Sequence, residues 1–324
     1  MAQRRTRGIM DRAPMTAISV VISVYNRAST LAATFDSILG QTERDFECIV
    51  IDDGSTDATP GILAGYAARD PRIRVIRQTN TGLTRALVTG CAAARGVYIA
   101  RHDAGDLSDP RRFELQKRAL DADSQVVFVS SATQYAGPEL EPLWIERSSS
   151  AATQAAHVLD LTTAGGMTDG PTHHGSVMFR RDAYERVGGY RPAFYYGQDF
   201  DLWLRLAEVG KFQSIDEVLY TARITPDSIT GSARLRQEKL GRLSRAALDA
   251  RQRRESEKDI LDQAAAITRV SKHPISSRGK GLYFVGEALR RNGDRRARSY
   301  LRQSIAAWPW SPRAWIRYLQ SLVL

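Results

Sequence analysis

Four short β-branched runs, each followed by a connection or a helical stretch, fill the first hundred residues, and this alternation restricts the chain to a small set of folds. Residues 18–24, 46–51, 73–76 and 97–100 read as strands, the first long enough to be a buried parallel one. Residues 29–39, 58–68 and 83–94 carry apolar side chains at helical spacing, and Gly96 is placed to cap the last of these helices. Strand–helix alternation with short connections predicts an α/β fold with a doubly wound, mostly parallel sheet. Further on, 125–131 and 176–180 are predicted as strands, 199–209 as a helix and 218–221 as an edge strand.

Open α/β sheets bind ligands beyond the carboxyl ends of their strands. Two acidic clusters fall at those ends. In the first, Asp52-Asp53-Gly54-Ser55-Thr56-Asp57, a turn with Asp57 capping the next helix explains part of the pattern. It leaves two adjacent carboxylates unexplained, and a carboxylate there can accept a hydrogen bond from a base N–H or a ribose hydroxyl. In the second, Asp103-Ala104-Gly105-Asp106, carboxylates three apart are spaced to hold Mg²⁺ or Mn²⁺, ions that bridge protein oxygens to substrate phosphates. The plain alternative is a polar turn before a helix near Pro110, with Asp109 as its cap. His102 reads as a surface or supporting histidine rather than a ligand. Asp199 opens the 199–209 helix, where the macrodipole stabilises a carboxylate, so capping and general-base roles both fit.

Charge divides the chain. Of its 46 Lys and Arg and 36 Asp and Glu, residues 231–324 hold 21 and 8, a balance of +13, leaving 25 and 28, a balance of −3, for the rest. This predicts a module boundary near Gly231, with a basic and polar lead-in over 1–15, a main domain over 16–230 and a basic helical region over 231–324. Helices are expected near 234–249, 255–270, 280–292, 294–307 and 311–323. No apolar run approaches the ~20 residues of a membrane-spanning helix. Residues 1–15 lack a signal peptide's apolar stretch, and two cysteines, Cys48 and Cys91, read as buried thiols. Together these point to the cytoplasm, with peripheral contact at the inner face of the cell membrane as an option. The arginines of 290–302 and the tryptophans Trp308, Trp310 and Trp315 allow two readings. One is a platform for an anionic membrane or a lipid-linked acceptor. The other, preferred on sequence grounds, is a solvated charged face over a helical core with the tryptophans packed inside.

The ordered set VISVYNR (21–27), IDDGSTDAT (51–59), HDAGDLSDPRRFELQ (102–116), HGSVMFRR (174–181), VGGYR (187–191) and QDFDLWLRL (198–206) resembles the family 2 glycosyltransferases. The resemblance covers about residues 16–231. It implies the GT-A fold, followed here by a C-terminal helical segment, and inverting sugar transfer from a nucleotide diphosphate sugar, UDP-linked in most of the family. It assigns Asp52 and Asp53 to the nucleotide base, Tyr25 and Asn26 to the nucleotide pocket, and Asp103 with Asp106 to a divalent cation, Mn²⁺ or Mg²⁺. The family's second motif carboxylate is Gly105 here. Asp199 matches the catalytic base of a Glu-Asp pair that reads Gln198-Asp199. His174, Gln198, Trp203 and Arg223 match donor or acceptor contacts, and the family's histidine after the arginine is Thr225. The implied partners are a nucleotide-sugar donor and a glycan or lipid-linked acceptor, with no nucleic acid. An inactive nucleotide-sugar-binding scaffold is the alternative, and a nucleotidyltransferase ranks below it because Tyr25-Asn26-Arg27 lacks a glycine-rich phosphate loop.

Overall fold

The computed structural model describes residues 16–148, 170–226, 234–267 and 276–324. The expected lead-in and the boundary at Gly231 lie outside them. Strands β1 (Ile18–Val24), β2 (Phe46–Asp52), β3 (Ile73–Arg77) and β4 (Tyr98–Asp103) alternate with helices α1 (Leu31–Leu39), α2 (Thr59–Arg69) and α3 (Leu83–Ala92). They form the parallel half of the sheet, in the order β3-β2-β1-β4. Strands β5 (Leu107–Ser108), β6 (Val126–Ala136), β7 (Pro142–Glu146), β8 (Met178–Arg180) and β9 (Lys211–Arg223) continue it as β4-β8-β6-β9-β5, with β7 paired to β6. The mixed half follows from β8, which runs antiparallel to both β4 and β6.

Successive residues of a strand face opposite sides, so β1 feeds two cores. Val21 joins Ile49, Ile51 and Ile99 under α3 and the later helix α6 (Gln198–Ala207). Val20 and Ile22 join Val50, Phe35 and Ile38 under α1, and Phe113 under α4 (Arg112–Ala122). A strand that buries both faces must be apolar throughout, which is why 18–24 reads as a continuous run. Cys48 and Cys91 are buried free thiols, as expected.

Two expectations are corrected. Residues 218–221 are the end of β9, a 13-residue strand lying between β6 and β5 and not at an edge. Its pairing jumps from Ser131↔Ile215 to Ala132↔Val218, so Asp216 and Glu217 drop out of register and break the alternation that sequence reading relies on. Helix α3 ends at Ala92, short of Gly96. Gly96 serves a close approach instead: a Cβ there would lie 2.5 Å from the Ser19 backbone nitrogen.

After a short helix α5 (Arg181–Arg186), the C-terminal helices divide between two further cores. Helices α7 (Arg234–Gln252) and α8 (Lys258–Ala265) pack Leu240 and Ala264 on Phe194 and Tyr196. Helices α9 (Ser276–Arg291), α10 (Ala297–Ala307) and α11 (Pro312–Ser321) close over Leu143 of β7 with Leu282, Val285, Leu289 and Leu301.

The Gly96 contact is with backbone, which cannot rotate away. Gly96→Ala is expected to lower stability by roughly 1–3 kcal/mol. Gly65→Ala, in the α2 interior with only an arginine tip nearby, is expected to raise it by up to ~1 kcal/mol. Urea midpoints of the two variants check the contrast.

Candidate metal and donor site

The β1 register places Asp52 of β2 opposite Val24 and Asp103 of β4 opposite Ser23, so the two acidic clusters flank the end of the same central strand. Asp103 keeps 30% of its side chain exposed, and its Oδ1 accepts from Arg101 Nη2. Asp106 is buried; its Oδ2 accepts from the Tyr220 hydroxyl (2.8 Å) and its Oδ1 from the Arg223 N–H (2.9 Å). Gly105 between them has φ +111°, a conformation in which a side chain is strained, so this turn carries its second carboxylate one residue later.

A third group completes the cluster. His173 Nδ1 lies 3.9 Å from Asp103 Oδ2 and 3.9 Å from Asp106 Oδ2. One ligand atom from each of these residues fits within a 4.8 Å span, a separation one cation can bridge. The Nδ1 accepts the Gly175 N–H (3.0 Å), so an ion bound there takes a lone pair now held by an amide. Sequence reading singled out His174 and passed over His173. No sequence signal separates the two: His173 is extended (φ −156°, ψ 143°), and adjacent residues of an extended chain point opposite ways, so one of the pair faces the carboxylates and the other the core. His174 accordingly turns inward, Nε2 2.7 Å from the Tyr190 hydroxyl and its ring against Trp203.

Buried arginines underlie the cluster. Arg101 donates to the carbonyls of Val21 and His102 as well as to Asp103. Arg112 donates to the Gln116 side chain, to Ser108 Oγ and to the Arg101 carbonyl, and lies over the Tyr220 ring. Burial works against the charge on Asp103, but Arg101, with His173 and His174, holds its carboxyl well below the usual range. Asp106 goes the other way: burial and the Asp103 charge push it up to about 6, against the pull of His173. Burial and the charge of Arg112 push His102 down to about 3, and burial and Arg101 push His174 down to about 4, so both are neutral near pH 7. His102 is wholly buried, its Nδ1 2.9 Å from the Asp103 carbonyl, which excludes the surface reading.

The remaining residues take distinct positions. Tyr25, just past β1, is 42% exposed. Asn26 adopts φ +51° and its Oδ1 accepts the Thr56 N–H (2.8 Å), pinning the β1 loop to the β2 loop. Asp52 Oδ1 accepts the Ser55 N–H, and its Oδ2 lies 3.5 Å from Arg77. Asp53 accepts from Gln78, Thr81 and the Gly82 N–H, so both its oxygens hold the 78–82 loop. Asp57 accepts the Thr59 N–H, as a cap would. Asp199 is partly exposed in the first turn of α6. Gln198 and Trp203 are buried, Trp203 within the core beside Leu202 and Leu206. Arg223 Nε is buried without a hydrogen-bond partner among the described residues.

Residues 19–188 match the family described as "Glycosyl transferase family 2". The putative glycosyltransferase EpsE of Bacillus subtilis is 35% identical over 218 residues, covering 65% of this chain and 74% of that protein. The chondroitin synthase of Escherichia coli is 28% identical over 211 residues, which are 65% of this chain but only 29% of that protein. Among solved structures, the mannosyltransferase PcManGT from Pyrobaculum calidifontis, in complex with GDP-Man and Mn²⁺, superposes with a TM-score of 0.52 at 18% identity, covering 95% of this chain and 86% of that one. S. aureus TarS in complex with UDP gives 0.55 at 13% identity, covering 94% and 88%. The structural likenesses establish a GT-A type fold.

Asp106 binds its proton more tightly in the folded state (about 6) than its ordinary value of 3.8, so this group adds stability as pH falls from 6 towards 4 and costs stability above 6. Asp103, shifted downward, acts only below that window. In chelator, Asp106→Asn is therefore expected to raise stability at pH 8 by on the order of 1–3 kcal/mol relative to pH 4, and to steepen the loss of stability between pH 6 and 4, where the depressed His102 and His174 then act unopposed. Denaturation curves at pH 4, 6 and 8 give the comparison.

Proposed function

Because the chain belongs to glycosyl transferase family 2, we propose that it moves a sugar from a nucleotide diphosphate donor, preferably UDP-linked, to a hydroxyl of a glycan or lipid-linked acceptor, with inversion at the anomeric carbon. The observation that carries this reading is the convergence of Asp103, Asp106 and His173 at the end of β4. Two structural relatives were solved with nucleotides, GDP-Man in one and UDP in the other, and this supports a nucleotide-sugar donor.

The donor set fits a divalent cation, and its imidazole favours Mn²⁺ over the oxygen-preferring Mg²⁺. Such an ion, when bound, neutralises negative charge on a departing diphosphate. Here His173 supplies the imidazole that the family takes from the position of Thr225, and Asp106 stands in for the carboxylate missing at Gly105. Arg223, with its unpartnered Nε, suits a diphosphate oxygen. The exposed Tyr25 ring offers a face for the base, and Asp52, buried with its Oδ2 3.5 Å from Arg77, would accept a base N–H only from a base that reaches in past Arg77. Asp53 serves by fixing the loop around them. Asp199 would take the proton of the acceptor hydroxyl as it attacks from the face opposite the diphosphate, in one step without a covalent enzyme intermediate. Positioning and charge stabilisation would supply most of the rate.

Asp199→Asn is expected to lower transfer by at least about 10²-fold while leaving donor affinity unchanged. A parallel loss of donor affinity, measured by calorimetry, would overturn the base assignment. His173→Ala and Asp103→Ala are each expected to weaken Mn²⁺ binding about ten-fold or more, read by Mn²⁺ electron paramagnetic resonance. The overall reading is tested by thermal shift with a panel of nucleotide sugars, with and without Mn²⁺. No stabilisation by any donor would count against it, and stabilisation without hydrolysis or transfer would favour the inactive scaffold.

A further inference from the structure

Helix α11 packs against the protein through Ala314, Tyr318 and Ser321 and turns its other large apolar residues outward. Ala314 and Ser321 are buried, whereas Trp315, Ile316, Leu319, Leu322 and Val323 are 48–88% exposed, and Trp310 in the preceding loop is 88% exposed. At 3.6 residues per turn, the five fall on one contiguous arc of the helix and its final turn. A surface helix ordinarily buries that arc, and an apolar patch of this kind marks an interaction site. The sequence expectation of tryptophans packed inside is thus overturned at Trp310 and Trp315.

The face is held in place. Ser311 caps the Ala314 N–H, and Trp315 Nε1 donates to the Pro309 carbonyl. Arg298 and Arg295 donate to the carbonyls of Ser321 and Leu324, closing the C-terminal end. Its surroundings are cationic: residues 276–324 carry ten Lys and Arg against two acidic residues, a balance of +8. Between α9 and α11 a cavity of about 370 Å³ is lined by Tyr283, Arg313, Ile316 and Arg317. Arg317 lies 3.4 Å from Glu287, while Arg313 forms no ion pair among the described residues.

We propose that this face docks on an anionic lipid bilayer. The tryptophans and leucines enter the boundary between headgroups and acyl chains, and Arg313, one turn from Ile316, meets lipid phosphates beside them. A second copy of the chain is the poorer occupant, because it would bring two segments of net positive charge together. The proposal goes beyond the sugar-transfer reading, and it is tested without donor or acceptor, so either can fail alone.

The test is co-sedimentation of the full chain with vesicles of phosphatidylcholine alone or with about 30 mol% phosphatidylglycerol, together with indole emission. The expected result is at least about ten-fold tighter partition to the anionic vesicles, with blue-shifted emission. Leu319→Ser with Val323→Ser, and separately Arg313→Ala, should each weaken it several-fold at an unchanged melting temperature, and high salt should weaken it further. No pelleting, or equal pelleting with neutral vesicles, would overturn the proposal. So would a lipid-free dimer, seen by light scattering, that the serine substitutions disperse, since the face would then belong to a second copy.

Discussion

Two carboxylates stand side by side at the end of β4 because positive charge lies buried beneath them. Arg101 and Arg112 are 1% and 0% exposed, and each spends its guanidinium on carbonyls and side chains of the surrounding strands. In a low-dielectric setting two like charges a few ångströms apart repel strongly. The arginines offset that repulsion unevenly. Asp103, in direct contact with Arg101, stays ionised, while Asp106, deeper and facing Asp103, is raised towards neutral pH. A pair tuned this way is short of one more positive charge at its open side, where His173 also points.

The same economy of position governs the loops around it. Asn26 and Asp53 are spent on backbone amides of neighbouring loops. Tyr25 is left exposed just past β1, while Asp52 is buried against Ser55 and Arg77. Gly175 permits the closest approach, since a Cβ there would lie 2.0 Å from the Tyr220 hydroxyl and 3.2 Å from the Asp103 nitrogen. That hydroxyl both accepts the Asp103 N–H and donates to Asp106, so Tyr220 joins the two halves of the acidic turn.

Helix α6, which carries Asp199, is tied to the C-terminal helices through charge. Asp201 pairs with both Arg191 and Arg205, Arg191 reaches Glu257 just before α8, and Arg251 of α7 bridges Glu257 and Glu208. Because these groups are largely buried, removing one partner would leave an uncompensated charge. The basic C-terminal region is thus mechanically continuous with the helix beneath the proposed base, even though its composition differs from that of the sheet domain.

What the sequence determined is what depends on local pattern. The apolar runs of β1 to β4 and the helical spacing between them gave the parallel half of the sheet, with the acidic clusters at the ends of its strands, because burial on both faces of a parallel strand leaves a continuous signature in the chain. The pairing of Asp103 with Asp106 was equally legible. Tertiary structure decided the rest. Which of His173 and His174 faces the carboxylates depends on which side of an extended segment the core lies. The arginines under the site look like ordinary helix and strand cations until the sheet closes over them. The length of β9 is hidden by the residues its register skips. The outward turn of Trp315 and Leu319 was invisible because an amphipathic helix has the same periodicity whichever way it faces; its direction is fixed by Ala314 and Ser321, which are buried, and by Tyr318, which packs on the core beneath.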